Sequence, residues 1–467
     1  MVPALTEPGG SARAAALEAV RRVDCGEAFL REVLHDIFDR AGLSVRDRAL
    51  ATQLAAGVLR HRRNLQLLIS HVRGKGRRAT TIQPPILEIL ELGAFQLLFL
   101  DRVPAYAAVN EAVEAARRTV HSPGAARKVA GFVNGVLRGI ERLIAGRDTA
   151  GKPAPDALPH PEGGVVRLAA PVLPDPAKGA AEFLGAAYSY PDWLVKRWVE
   201  HYGAPRAEEI CRFGNRRPAA CARLNPLHPE AAGLPARLQA DGPAAAPGPR
   251  PGTLDVSDLP ADRLERLLDD GVLTIQDPSA MLAVEVLAPK AGEAVLDLCA
   301  SPGTKTTQII EAMGDRGRVV ASDRSPDKLE PIRQVVARRG IKSVEICLAE
   351  DAARTAPSGG FDAALVDAPC SNTGVLARRV EARWRLRAHD IPELAALQVR
   401  LLGQAAGLLG PGGRLVYSTC SLEAEENEGV LGAFLAGRGG WDLVRRQQVF
   451  PAADHDGGFV ALLARRG

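Results

Sequence analysis

Two cysteines stand in matching settings: Cys370 in Asp367-Ala368-Pro369-Cys370-Ser371 and Cys420 in Tyr417-Ser418-Thr419-Cys420-Ser421. Each closes an apolar run of strand character, Phe361 to Val366 and Arg414 to Tyr417, and each is followed by small polar residues and a helix-like stretch. In an open α/β sheet the residues just past the carboxyl ends of strands line the ligand crevice, so the two thiols are placed to face one pocket. The chemistry open to a thiol there is nucleophilic, provided the site favours the thiolate, because a free cysteine is only about a few per cent ionised near neutrality.

A third strand end lies upstream, where Leu296-Asp297-Leu298-Cys299-Ala300-Ser301-Pro302-Gly303 runs into a tight turn. Gly303 permits the turn, and Thr304 can cap the helix whose free N–H groups face the loop. Asp323 follows at the end of the next strand, at the spacing where a carboxylate accepts hydrogen bonds from a ribose. Neither a GxGxxG dinucleotide fingerprint nor a GxxxxGK[ST] phosphate loop occurs. A nucleoside cofactor with little phosphate is implied, and S-adenosylmethionine fits; the alternative is a structural turn with a capping aspartate.

These strand ends need a sheet to hold them. From Gln276 onward the text alternates strand and helix: Val295–Cys299, Thr304–Met313, Val319–Ser322, Asp327–Arg338, Val344–Leu348, Ala363–Val366, Glu393–Leu409, Leu415–Ser418, Glu425–Leu435 and Phe459–Leu463. Such alternation predicts a largely parallel, doubly wound α/β domain over 276–467. Residues 11–145 carry apolar positions at three- and four-residue spacing and predict a compact all-α domain, with Ser44 as an N-cap for a helix through Leu59. Residues 146–180 are rich in Pro, Gly and Ala and are expected to be a linker. Residues 181–275 open with an amphipathic helix bearing Trp193 and Trp198, whose indoles are expected in packing, and continue as a small α+β module. Residues 1–10 are expected to form a loose tail.

Composition excludes several classes. A chain of 467 residues with 46% hydrophobic and 24% charged residues is a multidomain globular protein. It has no signal-peptide pattern and no apolar run that would span a membrane. Seven widely spaced cysteines form neither a disulfide framework nor a zinc site, which fits a reducing cytoplasm, and no metal is expected. Cys25, Cys211, Cys221 and Cys347 are expected to be ordinary buried thiols. Net charge is +4, yet residues 11–145 hold 21 Lys+Arg against 13 Asp+Glu. Arg60–Arg78 contains seven basic residues and no acidic one, either a phosphate-binding stretch or a solvated basic face.

Together these strings resemble the NOP/Sun family of RNA cytosine-C5 methyltransferases. Leu296–Thr306 is similar to its LDLCAAPGGKT loop, Asp367–Cys370 to its DAPCSGTG motif and Ser418–Ser421 to its STCS motif. Val109-Asn110-Glu111-Ala112-Val113 and Phe132-Val133-Asn134-Gly135-Val136-Leu137-Arg138 resemble the NusB-like domain fused to one bacterial branch that acts on 16S ribosomal RNA. Pro191-Asp192-Trp193 and Arg223-Leu224-Asn225 resemble the middle segment of that branch, and Gln276–Ala280 its entry into the catalytic domain.

The resemblance implies three parts: an all-α NusB-like RNA-binding domain, a small α+β module and a Rossmann-like S-adenosylmethionine-dependent methyltransferase domain. It places the cofactor at Cys299, Ala300, Ser301, Pro302, Gly303, Thr304 and Lys305, with Asp323 at the ribose, Asp351 at the adenine and Asp367 between cofactor and base. Cys420 matches the nucleophile that adds to C6 of the cytosine, and Cys370 the cysteine that aids release; Cys299 only shapes the loop. Thr304 and Asn372 replace family glycines, and Glu350 beside Asp351 leaves the adenine contact open by one residue. The expected partner is 16S ribosomal RNA, without DNA or membrane, and the expected state a cytoplasmic monomer. Rival readings are methylation of another RNA such as tRNA, a DNA enzyme using Cys370 as nucleophile, and an RNA-binding assembly or antitermination factor with a vestigial methylase domain. The DNA reading lacks its Glu-Asn-Val motif.

Overall fold

The structure, a computed structural model, describes residues 11–74, 76–240 and 245–466. The tail expected over residues 1–10 and one basic residue of the Arg60–Arg78 stretch, Lys75, lie outside the described residues. The chain divides into two compact units. One holds residues up to Arg217 together with Leu376–Arg385, the other Pro218–Val375 and Leu386 onward.

The first unit begins with six helices, Ala12–Asp24, Leu30–Ala41, Val45–Arg73, Pro84–Phe99, Ala105–Arg118 and Pro123–Leu143. Ser11 and Ser44 cap the first and third, their hydroxyls accepting from the N–H of Ala14 and Asp47. The third helix runs well past the predicted stop at Leu59, because Arg60–Arg73 is itself built of good helix formers with buried Leu65, Leu68 and Ile69. The stretch expected as a linker instead carries three short antiparallel strands, β1 (Ile144–Asp148), β2 (Ala157–Pro159) and β3 (Val165–Leu168), in the order β1-β3-β2. Leu158, Val165 and Val166 are buried there, so these few apolar residues form a small sheet despite the surrounding Pro and Gly. Helix Ala180–Tyr188 and the helical stretch Asp192–Phe213, kinked at Gly203, complete the run, and Trp198 packs edge-on against Tyr190 as expected of a core indole.

Arg383, on the returning segment Leu376–Arg385, is fully buried in this unit. It stacks over the Tyr190 ring at 4.0 Å and donates to Asn215 Oδ1 and to the carbonyls of Gly214 and Leu376. These acceptors explain how an arginine can be buried here.

The second unit opens with a four-stranded antiparallel sheet, β4 (Cys221–Leu224), β5 (Ala246–Pro247), β6 (Thr253–Asp255) and β7 (Leu273–Ile275), ordered β5-β6-β4-β7, with helices Leu234–Ala240 and Ala261–Asp269. Buried Arg223 ties β4 to helix Thr304–Ala312 by donating to Glu311, Gln276 and Thr307. The main sheet has seven strands: β8 (Ala294–Asp297), β9 (Arg318–Asp323), β10 (Val344–Leu348), β11 (Phe361–Asp367), β12 (Leu409–Thr419), β13 (Trp441–Val449) and β14 (Gly458–Arg465). Their order is β10-β9-β8-β11-β12-β14-β13. The first five are parallel, as predicted, and the last two add antiparallel pairs at one edge. Val295, Leu296 and the whole of Ala363–Val366 are inaccessible, the near-continuous apolar text that a parallel strand covered on both faces requires.

Candidate active site

Register brings the two cysteines together. In the parallel pairing of β11 and β12, Val366 lies opposite Tyr417 and Asp367 opposite Ser418, so Cys370 and Cys420 follow neighbouring strand ends. Their sulfurs are 3.1 Å apart. The loops that carry them are stitched by the Gly374 N–H donating to the Cys420 carbonyl at 2.8 Å and the Leu422 N–H donating to Thr373 Oγ1 at 2.8 Å. Gly374 has no room for a side chain: a Cβ there would come within 2.4 Å of the Gly457 carbonyl oxygen and 2.9 Å of that of Cys420.

Beneath the thiols lies Glu426, fully buried. Its Oε1 accepts from the Ser371 N–H and from Gln398 Nε2, both at 2.9 Å, and its Oε2 accepts from the hydroxyls of Ser421, at 2.6 Å, and of Ser371. Ser371 follows Cys370 and Ser421 follows Cys420, so one carboxylate clamps both loops. Tyr417 donates to Gln398 Oε1 at 3.0 Å and also to the Glu426 carbonyl, closing the network. Its hydrogen bond to Cys420, then burial, then the nearby negative charges hold the Cys370 thiol well above the usual range.

The loop after β8 forms the neighbouring wall. Gly303 adopts φ +100, which suits glycine, and helix Thr304–Ala312 starts immediately after it. The left-handed residue is Gly303, so threonine in place of the family glycine at 304 meets no backbone demand. The Ala300 N–H donates to the Ser322 carbonyl, and the Ser301 N–H donates to Asp323 Oδ2 at 3.0 Å, tying the loop to the end of β9. Asp323 Oδ1 accepts from the Arg324 N–H, which leaves lone pairs on both oxygens. Asp351 follows β10, half-buried and paired with Arg354, while Glu350 is exposed. Cys299 and Pro302 complete the turn, and burial pushes the Cys299 thiol up.

Lys305, expected among the cofactor contacts, donates from Nζ to Asp367 Oδ2 at 2.6 Å and so joins the turn to the Cys370 motif. Burial acts to lower its pKa, and the charge and hydrogen bond of Asp367 outweigh this, so it is raised. Asp297, also fully buried, accepts from Thr306 Oγ1 at 2.7 Å through Oδ2, whereas its Oδ1 has no partner. Burial pushes its pKa up to about 7, against the bond from Thr306 and aided by the charge of Asp367. An orphaned carboxylate oxygen under a glycine turn, with acidic strand ends at Asp323 and Asp351 alongside, is the donor-seeking surface that a nucleoside with a cationic tail would satisfy.

Glu426, Gln398 and Asn427 take part in this site without having stood out in the sequence; Asn427 accepts from Thr419 Oγ1 and donates to the Ser421 carbonyl. Glu426 lies between exposed Glu425 and buried Asn427, and nothing in that local string marks it out. Among the other thiols Cys211 and Cys221 are buried as expected, but Cys25 is exposed at the end of the first helix and Cys347 is half-buried on β10, the edge strand of the main sheet. Among the described residues no group of three metal-binding side chains occurs.

The basic stretch needs correction. Half-buried Arg60 donates to the Ala377 carbonyl, Arg62 forms a two-point bridge to Asp24, and Arg63 holds Asp192 and the Tyr190 carbonyl. Those three guanidiniums are structural; Arg77 and Arg78 are the exposed ones.

Comparison with known proteins matches all three parts of the chain. A model of the 16S rRNA methyltransferase RsmB/F family matches residues 284–461, a NusB family model matches 10–142, and one for the RsmF/B-like ferredoxin-like domain matches 190–252. The probable ribosomal RNA small subunit methyltransferase B of Bacillus subtilis is 33% identical over 91% of this chain and 88% of its own. The ribosomal RNA small subunit methyltransferase B of Salmonella arizonae is 33% identical over 97% and 98%. The crystal structure of PH0851 superposes with a TM-score of 0.74 at 26% identity, covering 99% of this chain and all of that one. A methyltransferase homolog from Pyrococcus horikoshii gives 0.54 at 26% identity over 60% of this chain and 97% of its own.

The fold and the site together define a Rossmann-like methyltransferase that uses S-adenosylmethionine, preceded by a NusB-like helical domain and a ferredoxin-like module. The chain belongs to the RsmB/F family of 16S rRNA methyltransferases.

Proposed function

We propose that this protein methylates C5 of a cytosine in 16S ribosomal RNA through a covalent adduct between Cys420 and C6. The observation that carries the reading is the pair of sulfurs 3.1 Å apart at adjacent strand ends, with Cys370 held as the thiol. S-adenosylmethionine, when bound, supplies the methyl group as an electrophilic sulfonium. The chain's residues do the rest. The target base leaves its stack to enter the site. Cys420, as thiolate, forms a bond to C6, and the C5–C6 π pair becomes available at C5. Lys305 occupies Asp367 Oδ2, leaving Oδ1 to accept from the cytosine N4 amine and hold the ring edge. After transfer the C5 proton passes to water, the C5–C6 double bond re-forms and the Cys420–C6 bond breaks. The Cys370 S–H is placed to hydrogen-bond the departing thiolate.

Asp323 is assigned to the ribose hydroxyls and Asp351 to the adenine, with the turn from Cys299 to Lys305 around the cofactor. The helical amino-terminal unit is assigned to RNA backbone, and the protein to a cytoplasmic monomer without DNA or membrane partners; no described helix is long and apolar enough to cross a membrane. The deciding experiment is a denaturing gel of substrate RNA with each cysteine variant. Cys370→Ala should attack, transfer methyl and stall as a slow-migrating adduct, and Cys420→Ala should give neither adduct nor product. The reverse pattern would make Cys370 the nucleophile.

A further inference from the structure

Asn372 stands where the family motif carries glycine, and its side chain reaches the nucleophile. It adopts φ +62, a conformation that among non-glycine residues Asn and Asp tolerate best. Its Nδ2 donates to the Cys370 carbonyl at 2.8 Å, and its Oδ1 accepts from Cys420 Sγ at 3.3 Å. The orientation of the amide follows from the first bond: turned over, Oδ1 would face the Cys370 carbonyl oxygen, two acceptors with no proton between them.

We infer that Asn372 is a catalytic residue of this chain that assigns the roles of the two thiols. A thiol has one proton. With the Cys420 proton directed to Asn372 Oδ1, the proton in the contact between the sulfurs must belong to Cys370. The pair thereby gains a direction, Cys370 S–H to Cys420 Sγ and Cys420 S–H to Asn372. When Cys420 ionises it gives up its bond to Asn372 Oδ1, and Cys370 is already aimed at the thiolate as the donor that remains. Glycine at 372 has no atom to do this. Aspartate keeps the acceptor, but it cannot donate to the Cys370 carbonyl and sets an anion against the forming thiolate. Asparagine meets all three demands.

This rests on the reading of Cys420 as nucleophile, and its test separates the two. The reduced protein, without RNA, is treated with iodoacetamide, and labelling at Cys420 and Cys370 is measured by mass spectrometry for wild type, Asn372→Gly and Asn372→Asp. Glycine suits φ +62, so the first variant should fold, and S-adenosylmethionine affinity within about twofold of wild type confirms it. In wild type Cys420 should be labelled in preference to Cys370. In Asn372→Gly nothing holds the Cys420 proton away from the contact and either sulfur can donate in it, so that ratio should fall toward one, by about threefold to tenfold, the scale of one neutral hydrogen bond, and single-turnover adduct formation with 16S RNA should slow by about the same factor. Asn372→Asp should suppress labelling of Cys420. Ratios and adduct rates within about twofold of wild type in both variants would overturn the role of Asn372 while leaving the methylation reading intact. A shifted labelling ratio with no RNA adduct in any form of the protein would do the reverse, removing the RNA reading and keeping Asn372 as the partner of Cys420.

Discussion

Two carboxylates in the catalytic unit, Glu426 and Asp297, are equally buried and differently provided for. Glu426 receives four donors, from Ser371, Gln398 and Ser421, with both oxygens used. Asp297 receives one, from Thr306, and keeps an orphan oxygen under the Gly303 turn. A buried charge with its acceptors filled is part of the framework, whereas one left half-filled is a place prepared for something the chain does not supply. The first fixes where the sulfurs are, and the second fits what the turn is built to hold.

The largest effect expected from breaking this contrast is at Glu426. Glu426→Ala removes the acceptor shared by four buried donors, of which the Ser371 N–H has no other, and removing one side of a buried charged network costs about 3–5 kcal/mol. Urea unfolding should show that loss, and adduct formation should vanish because both cysteine loops lose their common tie. Glu426→Gln returns one acceptor oxygen and should recover part of the stability. A variant as stable as wild type and equally able to trap RNA would show that the serines find other partners.

At Asp297 the expected effect is smaller and depends on pH. Its folded-state pKa is raised from the usual 3.8 to about 7, so the folded protein keeps a proton that the unfolded chain releases. Stability is unaffected below the unfolded value, falls as pH rises between about 4 and 7, and is flat above, with a span on the order of 4 kcal/mol at most. Asp297→Asn should flatten that part of the pH–stability curve, measured as urea midpoints at successive pH values. If a donor from S-adenosylmethionine meets the orphan oxygen, calorimetry near pH 6 in two buffers of different ionisation enthalpy should register proton release on binding, absent in the variant. Identical buffer dependence in both proteins would leave the oxygen orphaned in the complex as well.

Asp323 lies between the two cases, with a backbone donor on each oxygen and lone pairs to spare. Asp323→Ala should weaken S-adenosylmethionine binding by about tenfold to a hundredfold, the value of charge-assisted bonds at roughly 1.5–3 kcal/mol. Unchanged affinity in a folded variant would remove the ribose assignment.

What could be read in advance divides along similar lines. The glycine turn, the acidic strand ends and the two cysteines were legible because each is a local string at a strand terminus. Glu426 was not, since its meaning lies in contacts to Ser371 and Gln398, far away in the chain. The strands of 144–168 escaped because two or three apolar residues apiece, set among Pro and Gly, carry too little periodicity to distinguish a small sheet from a linker. The basic stretch misled for the same reason as Glu426 stayed hidden: a charge reads as free until its partner is known. Asp24, Glu91 and Asp192, which take up Arg62 and Arg63, all lie outside Arg60–Arg78.

That last case yields the smallest prediction and extends the contrast from acids to bases. Arg62 is satisfied and Arg77 and Arg78 are exposed, so the same substitution should have opposite signatures. Arg62→Ala breaks the bridge to Asp24 and deprives Glu91 of its cation. Burial already pushes Glu91 up to about 7, so the variant should lose stability with little change in the salt dependence of RNA binding by the folded fraction. Arg77→Ala with Arg78→Ala should leave thermal unfolding unchanged. If both guanidiniums neutralise phosphates, the slope of log affinity against log salt should become shallower by about 0.7–0.9 per lost contact. Filter binding to 16S RNA over a salt series measures it. A slope unaltered by the double variant would mean that the exposed cations do not meet phosphate, and the amino-terminal unit would then have to bind RNA through another face or serve protein contacts instead.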